Sequence, residues 1–235
     1  RYSTFKKGAF DPGADFLLDY KEIKKEDKIQ VEKRKALIAQ INEPGLGKEF
    51  VSSFADTRQQ KDWLISPVEE PCRLQVLQSD DELSSMFRID NGLVSRTFYV
   101  SGNLACIGYK NLSNEAEYLR AIKPEARIRV DSVWYEIGGL KKQPEYSYLL
   151  ETWLPDMEAS RQAFTLTKVE TAEPLKRYPW EPKFNAVETD WPAKGLRVIM
   201  TYQPTESMPD VNGLEVSVNY EIYQGIPVMA KWIEV

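Results

Sequence analysis

The sequence predicts a mainly β protein, an antiparallel β-sandwich with a short helical extension at its amino end. The prediction rests on two observations. Many short strand-like segments follow Cys72, and turns rich in Pro, Gly, Asn and Asp, not helices, separate them. The 235 residues suffice for one large all-β domain or two small ones. We therefore expect a charged, partly helical extension (1–65) and a sandwich (66–235) that is truncated at its carboxyl edge.

The extension is rich in Lys, Glu and Asp, and its apolar residues have helical spacing. Residues 23–41 predict a helix whose apolar face includes residues 36–38 and Ile41, and which ends before Pro44. A second helix is expected from Glu49 to Leu64. It should end before Pro67, because proline disfavours continuation of a helix. The basic run in the first helix is surrounded by acids, so we interpret it as a solvated helix face.

Strand patterns fill the rest of the chain. Apolar and polar residues alternate over 214–222, which predicts a strand with one buried and one solvent-facing side. Residues 196–202 have a similar alternation. Asn91-Gly92 and Gly138-Gly139 are interpreted as turns, since neither lies in a nucleotide-binding pattern. Further strands are predicted at residues 73–78, 86–90, 93–100, 105–109, 127–131, 133–135 and 164–170.

Composition excludes several functional classes. The chain has no histidine, which removes Ser-His-Asp and Cys-His catalysis and His-ligated metal sites. Its formal net charge of -5 argues against nucleic acid as a partner, and no apolar run reaches the roughly 18 residues of a membrane helix. The two cysteines are interpreted as small buried hydrophobes in preference to a disulfide. The sequence thus predicts no catalytic residue, metal ligand or cofactor.

Two sets of aromatic residues are the candidate ligand-binding residues. Tyr146, Tyr148 and Trp153 are close in sequence, while Trp180 and Trp191 lie in a Pro-rich stretch. Loop aromatics can stack on the apolar faces of sugar rings, which predicts carbohydrate binding. Trp and Tyr also cover sandwich cores and fill domain interfaces, and that alternative stays open.

Four segments carry a family resemblance through their order and spacing. They are Asp62-Trp-Leu-Ile-Ser-Pro67, Ile89-Asp-Asn-Gly-Leu-Val-Ser-Arg-Thr-Phe98, Leu119-Arg-Ala-Ile-Lys-Pro-Glu-Ala126 and Tyr220-Glu-Ile-Tyr-Gln-Gly-Ile-Pro-Val228. Taken together, they resemble the N-terminal β-sandwich of glycoside hydrolase family 36, the α-galactosidase-like proteins. In that family a large supersandwich, similar in fold to galactose mutarotase, precedes a (β/α)8 barrel that carries the catalytic aspartates of a retaining mechanism.

The resemblance implies a non-catalytic domain that packs on a catalytic barrel, which this sequence does not include. No catalytic residue carries over. Galactosides or polysaccharides are the ligand classes it implies, with a secreted or periplasmic location, while the oligomeric state stays open. The chain begins without Met and ends in a strand-like segment, so we expect a piece of a longer protein. A stand-alone carbohydrate-binding module is the alternative; a mutarotase-like epimerase is disfavoured because its mechanism relies on histidine.

Overall fold

A computed structural model describes residues 15–55, 62–177, 179, 181 and 190–235, with the backbone alone for 15–27. Within these residues the chain is mainly β, as predicted, with one α-helix and two short 3-10 helices, Glu151–Asp156 and Pro209–Val211. Each strand predicted from sequence has both of its ends within two residues of those of an observed strand.

The first sheet has six strands in sequence order. They are β1 (Lys48–Val51), β2 (Arg73–Leu77), β3 (Ser85–Asp90), β4 (Val94–Val100), β5 (Leu104–Asn111) and β6 (Ala116–Glu117). Strand β1 runs parallel to β2, and the other neighbours are antiparallel.

The second sheet also has six strands, in the order β14-β13-β12-β11-β8-β7. A short parallel pairing joins β8 to β11, and the other neighbours are antiparallel. A separate two-stranded ladder pairs β9 with β10. The bounds are β7 (Ala126–Val130), β8 (Val133–Ile137), β9 (Leu140–Lys141), β10 (Glu158–Ala159), β11 (Ala163–Ala172), β12 (Gly195–Gln203), β13 (Val216–Tyr223) and β14 (Met229–Glu234).

The two large sheets face each other across one apolar core, which confirms the sandwich. The Phe98 ring on β4 stacks on Phe87 of β3, with centroids 5.2 Å apart, and meets Tyr220 of β13 edge-on at 5.5 Å. All three side chains are fully buried. Contacts of this kind across the layers hold facing sheets together because interiors pack at crystal-like density.

The helix α1 (Asp15–Ile41) packs on this sandwich, as its spacing predicts. Leu37, Ile38 and Ile41 are buried in the same core, whereas Ala36, expected on that face, is exposed. The Gln40 side-chain amide donates to the backbone oxygen of Val169 at 2.7 Å, and its oxygen accepts from that residue's N–H at 3.1 Å. No helix within the described residues is long and apolar enough to cross a membrane.

The prediction of a second helix from Glu49 to Leu64 is wrong where the structure describes it. Lys48–Val51 is β1, fixed by hydrogen bonds from Leu74 N to Gly47 O and from Gln78 N to Val51 O, both 2.8 Å. The proline limited how far a helix could extend and did not indicate that one formed. Residues 63–65 form a turn, and residues 56–61 lie outside the described part.

The solvent-facing side predicted for β13 is also wrong, because Asn219 and Glu221 are each only 1% exposed. The segment before residue 178 covers this side of the strand. There, the N–H of Leu175 donates to the Glu221 carboxylate at 2.6 Å, and the guanidinium of Arg177 donates to it at 3.3 Å. A polar side chain in alternation can therefore be buried when a distant segment supplies its partners.

The two predicted turns are confirmed. Gly92 has φ of 78° in the β3–β4 connection, and Gly138 and Gly139 have φ of 65° and 89°. Asn91 does more than turn the chain: its buried amide donates to the backbone oxygens of Tyr223 and Ile226, both at 2.8 Å. The β3–β4 turn is thereby tied to the end of β13 in the opposite sheet.

Candidate functional site

The predicted aromatic residues near position 150 lie on a loop that one side chain organises. The buried Gln143 accepts the N–H of Ile122 at 2.8 Å and donates to the backbone oxygens of Arg120 and Tyr148 at 3.1 and 2.9 Å. These bonds hold the loop against the segment that precedes β7. Tyr146 and Tyr148 project from it with 57% and 49% exposure.

The aromatic residues on this loop separate into two groups. Tyr148 and the half-buried Trp153 pack on each other, with ring centroids 5.4 Å apart. Tyr146 instead lines a groove of about 460 Å³, and the ammonium of Lys123 lies 5.3 Å from its ring centroid. A ring that is exposed beside a groove is placed for stacking on a ligand.

The Pro-rich aromatics lie elsewhere. Trp191 is half-buried and precedes β12, whose Arg197 pairs with Ala172 at the carboxyl end of β11. The Tyr146 groove adjoins Glu136 of β8, which pairs with Ala163 at the amino end of β11. Ten residues of strand span about 30 Å, so these aromatics belong to opposite ends of the sheet. Trp180 lies outside the described residues.

The groove is polar on its walls and charged. Its polar lining consists of Lys123, Arg127, Glu136, Lys141, Gln143 and Tyr146. The carboxylate of Glu136 is paired with the Lys141 ammonium at 2.6 Å. Pairing of β7 with β8 brings Arg127 opposite Glu136. The sequence of either strand alone does not predict that these two residues are neighbours.

A second cavity, of about 450 Å³, lies between α1 and the ends of β4, β11 and β12. None of its described lining residues is aromatic. Gln40 and Asn103 in its wall already bond to backbone: the Asn103 amide donates to Phe164 O at 3.0 Å and its oxygen accepts from Leu166 N at 3.1 Å. This cavity therefore lacks the stacking surface that the Tyr146 groove has.

Sequence reasoning missed a buried polar cluster at the sandwich edge. Glu125 has 1% side-chain exposure, accepts a hydrogen bond from the Tyr220 hydroxyl and binds the Lys231 ammonium at 2.7 Å. The Arg96 guanidinium lies 5.1 Å from the Tyr220 ring centroid. No local pattern signals this cluster, because Tyr220 and Lys231 are 95 and 106 residues from Glu125.

The polar cluster around Glu125 stabilises the fold. Burial, followed by the charge of Glu125, raises the pKa of Tyr220 well above its usual value, so the phenol stays protonated. The Glu125 carboxylate is already occupied by a phenol and an ammonium. A carboxylate that is sealed in this way holds the segment before β7 to β13 and β14, and it is not placed to transfer a proton to a substrate.

Neither cysteine is an activated nucleophile. Both thiols are free; Cys106 is buried and Cys72 half-buried. Burial, the largest cause in each case, raises the pKa of Cys106 to about 11 and that of Cys72 to about 12. Both remain protonated at neutral pH, which agrees with their interpretation as small hydrophobes. Within the part of the chain that the structure describes, no group of three or more acidic or cysteine residues is arranged to hold a metal ion.

These thiols predict an alkaline loss of stability. An unfolded thiol titrates near 9.0, so between about pH 9 and about 11 to 12 the folded chain holds protons that the unfolded chain releases. Linkage then lowers the free energy of unfolding as the pH rises through that range, whereas the contribution is fully present below pH 9.0. Thermal denaturation followed by circular dichroism between about pH 7 and 11 measures the decline.

The control for this prediction is the double variant Cys72→Ala/Cys106→Ala. Its decline should begin nearer to pH 10.0, where unfolded tyrosine titrates. A wild-type midpoint that stays level up to about pH 11 contradicts the prediction.

No protein-family model matches the chain, and comparisons with curated proteins and with solved structures give no match. The class that the geometry itself defines is a two-sheet β-sandwich with a helix packed against it. Assignment to an α-galactosidase-like family is accordingly a proposal that rests on the chain's own residues.

Proposed function

We propose that this chain is the non-catalytic N-terminal β-sandwich of an α-galactosidase-like glycoside hydrolase and that it packs on a (β/α)8 barrel. The observation that carries the proposal is the exposure of large apolar side chains on ordered turns. Leu64 and Ile65 are 74% and 81% exposed. Their turn is fixed by Asp62, which accepts the N–H of Leu64 on its side chain at 3.0 Å and that of Ser66 on its backbone at 2.8 Å.

A second exposed apolar segment lies next to the stretch of chain that follows this turn. Ile226 and Val228 are 38% and 46% exposed, and the Gln224 side chain beside them donates to the backbone oxygen of Glu69 at 3.1 Å. Both exposed segments belong to stretches that carry the family resemblance. Exposed apolar residues grouped on ordered turns are typical of an interface, and burying each would contribute about 1.5–3 kcal/mol. We call these four residues the apolar end.

The buried acids also favour a non-catalytic role. A retaining glycosidase needs two carboxylates about 5 Å apart that face a sugar across a cleft. Glu125 and Glu221 are each sealed from solvent. The Glu125 carboxylate is bound by Tyr220 and Lys231. The Glu221 carboxylate accepts hydrogen bonds from Leu175, from Arg177 and, at 2.7 Å, from the hydroxyl of Tyr223. Neither carboxylate lines the Tyr146 groove or the cavity beside α1.

Hydrolysis of an aryl α-galactoside tests the non-catalytic assignment. The chain by itself should release no more phenol than buffer does, under conditions in which an established α-galactosidase is active. Turnover that survives purification and disappears when one carboxylate of this chain is replaced would refute the assignment.

The apolar end gives a prediction in two contexts. In this chain alone, Leu64→Ser/Ile65→Ser should change the free energy of unfolding by less than about 0.5 kcal/mol, because both side chains are already in water. In the complete product of the natural reading frame, the same change should destabilise the sandwich–barrel assembly by about 3 kcal/mol, since two apolar contacts are lost. Chemical denaturation of both proteins measures the difference.

Val133→Ser is the matched control, since Val133 is 51% exposed but lies at the start of β8, outside the apolar end. It should have little effect in either context. Equal effects of the Leu64/Ile65 change in the two proteins would contradict packing of the apolar end on a partner.

Carbohydrate binding at the Tyr146 groove is the second candidate function. The observation that favours it is a half-exposed ring on a groove of about 460 Å³, within the size range of small-molecule sites. Binding here is compatible with either an accessory domain or an independent module.

Replacing Tyr146 by alanine should lower the affinity for a galacto-oligosaccharide about tenfold, because the stacking surface is removed. Isothermal titration calorimetry measures the affinity. Tyr118→Ala is the control, since Tyr118 is similarly exposed, at 54%, but follows β6 in the other sheet. Absence of heat at about 10 mM ligand, or equal losses in both variants, would contradict sugar binding in this groove.

A further inference from the structure

The groove beside Tyr146 carries more positive than negative charge. Lys123, Arg127 and Lys141 line it together with a single carboxylate, that of Glu136. That carboxylate is held by Lys141, with Nζ–O distances of 2.6 and 2.8 Å. This excess of cations is local, because the whole chain has a formal net charge of -5. Among the described residues no ion pair involves Lys123 or Arg127, so the groove presents two unpaired cations within an acidic protein.

Nearby carboxylates do not neutralise those cations. The Glu145 carboxylate turns back on its own loop, where it accepts the backbone N–H groups of Tyr146 and Ser147 at 2.7 and 3.0 Å. The Glu125 carboxylate points into the interior, towards Tyr220. An anion entering the groove would thus meet Arg127 and Lys123 without displacing an acid from either.

A second exposed aromatic residue lies beside Arg127, one of the groove's lining residues. Trp134 is 53% exposed, and the guanidinium carbons of Arg127 and Arg129 lie 5.3 and 6.0 Å from its ring centroid. Arg129 pairs with Trp134 across the β7–β8 hairpin, and Arg127 pairs with Glu136. Arg127 therefore joins the groove to the Trp134 ring, and Tyr146 lies on the groove's wall.

We propose that this groove binds an acidic oligosaccharide, one whose rings carry carboxylate or sulfate groups. The proposal rests on the second candidate function, sugar binding at Tyr146, and adds the class of sugar. Exposed aromatic faces suit sugar rings, and the planar guanidinium of Arg127 suits the two oxygens of a carboxylate or sulfate. A nucleic acid offers similar groups, but its long polyanion would meet repulsion from the net negative charge of the rest of the chain.

The test compares three ligands by isothermal titration calorimetry in about 50 mM salt: trigalacturonate, neutral galactotriose of the same linkage, and a short oligothymidylate. Trigalacturonate should bind about tenfold more tightly than galactotriose, because one charge-assisted hydrogen-bond pair distinguishes them. Arg127→Gln should lower the trigalacturonate affinity about tenfold and the galactotriose affinity much less, so that the difference between the two ligands disappears. Arg161→Gln is the control, since Arg161 is exposed at the β10–β11 connection and does not line the groove.

Each outcome decides a different point. Equal affinities for trigalacturonate and galactotriose would overturn the acidic class while sugar binding stands. A loss in Arg161→Gln equal to that in Arg127→Gln would overturn the groove as the site of charge recognition. Oligothymidylate binding as tight as that of trigalacturonate would overturn recognition of a sugar. Binding of neither sugar would overturn both this inference and the second candidate function.

Discussion

Replacing Glu125 by alanine is expected to lower the free energy of unfolding by about 3 kcal/mol, measured by urea denaturation. The substitution leaves the fully buried Tyr220 hydroxyl without its acceptor and removes the carboxylate that binds Lys231 at 2.7 Å. Removal of one partner from a buried ion pair is costly, because the remaining charge and donor lose their compensation. We place the effect at the lower end for such pairs, since the Lys231 side chain is 30% exposed.

The control for this result is an ion pair on the surface. Glu158 and Lys142 form a pair in which both side chains are more than 60% exposed, so Glu158→Ala should cost less than about 1 kcal/mol. Glu125→Gln, which keeps an acceptor for Tyr220, should cost less than Glu125→Ala. Equal losses in Glu125→Ala and Glu158→Ala would show that the cluster does not hold β13 and β14 to the segment before β7.

Replacing Phe98 by alanine is expected to destabilise the protein by about 3–5 kcal/mol. Its ring lies between Phe87 of its own sheet and Tyr220 of the facing sheet, so the substitution leaves a cavity where the layers meet. The cost combines lost transfer free energy with that of the cavity. Guanidinium denaturation measures the change, with the slope of the transition checked for constancy.

Phe50→Ala is the matched control, because Phe50 is on β1 at the sheet edge and is 38% exposed. It should cost less than about 1.5 kcal/mol, since a large part of its ring is already in water. If Phe50→Ala and Phe98→Ala were equally destabilising, the cross-sheet core would not be the principal source of stability.

Sequence prediction succeeded where residues close together in the chain determine the structure, and it failed where distant residues determine it. The alternation at residues 196–202 was correct, because the side facing the other sheet is apolar and buried along β12. The same reasoning failed at Glu221, because alternation shows which side chains are polar but does not show which of them another segment of the chain buries. A segment more than forty residues earlier supplies the donors that make burial of Glu221 favourable.

Prediction of the candidate site also depended on whether its residues are close together in the sequence. Tyr146 was identified from residue type and loop position, and it does line a groove. Lys123, Arg127 and Glu136 were not identified, because strand pairing and the Gln143 hydrogen bonds bring them beside the loop. Trp191 and the Tyr146 loop, which belong to two separate aromatic sets in the sequence, flank opposite ends of β11.

The decisive measurement is the sequence of the complete natural reading frame that encodes this chain. We expect the frame to continue into a (β/α)8 barrel with two carboxylates at the carboxyl ends of its strands. A frame that stops after the sandwich, or that continues into a domain without such a barrel, would contradict the claim that this chain serves a glycoside hydrolase.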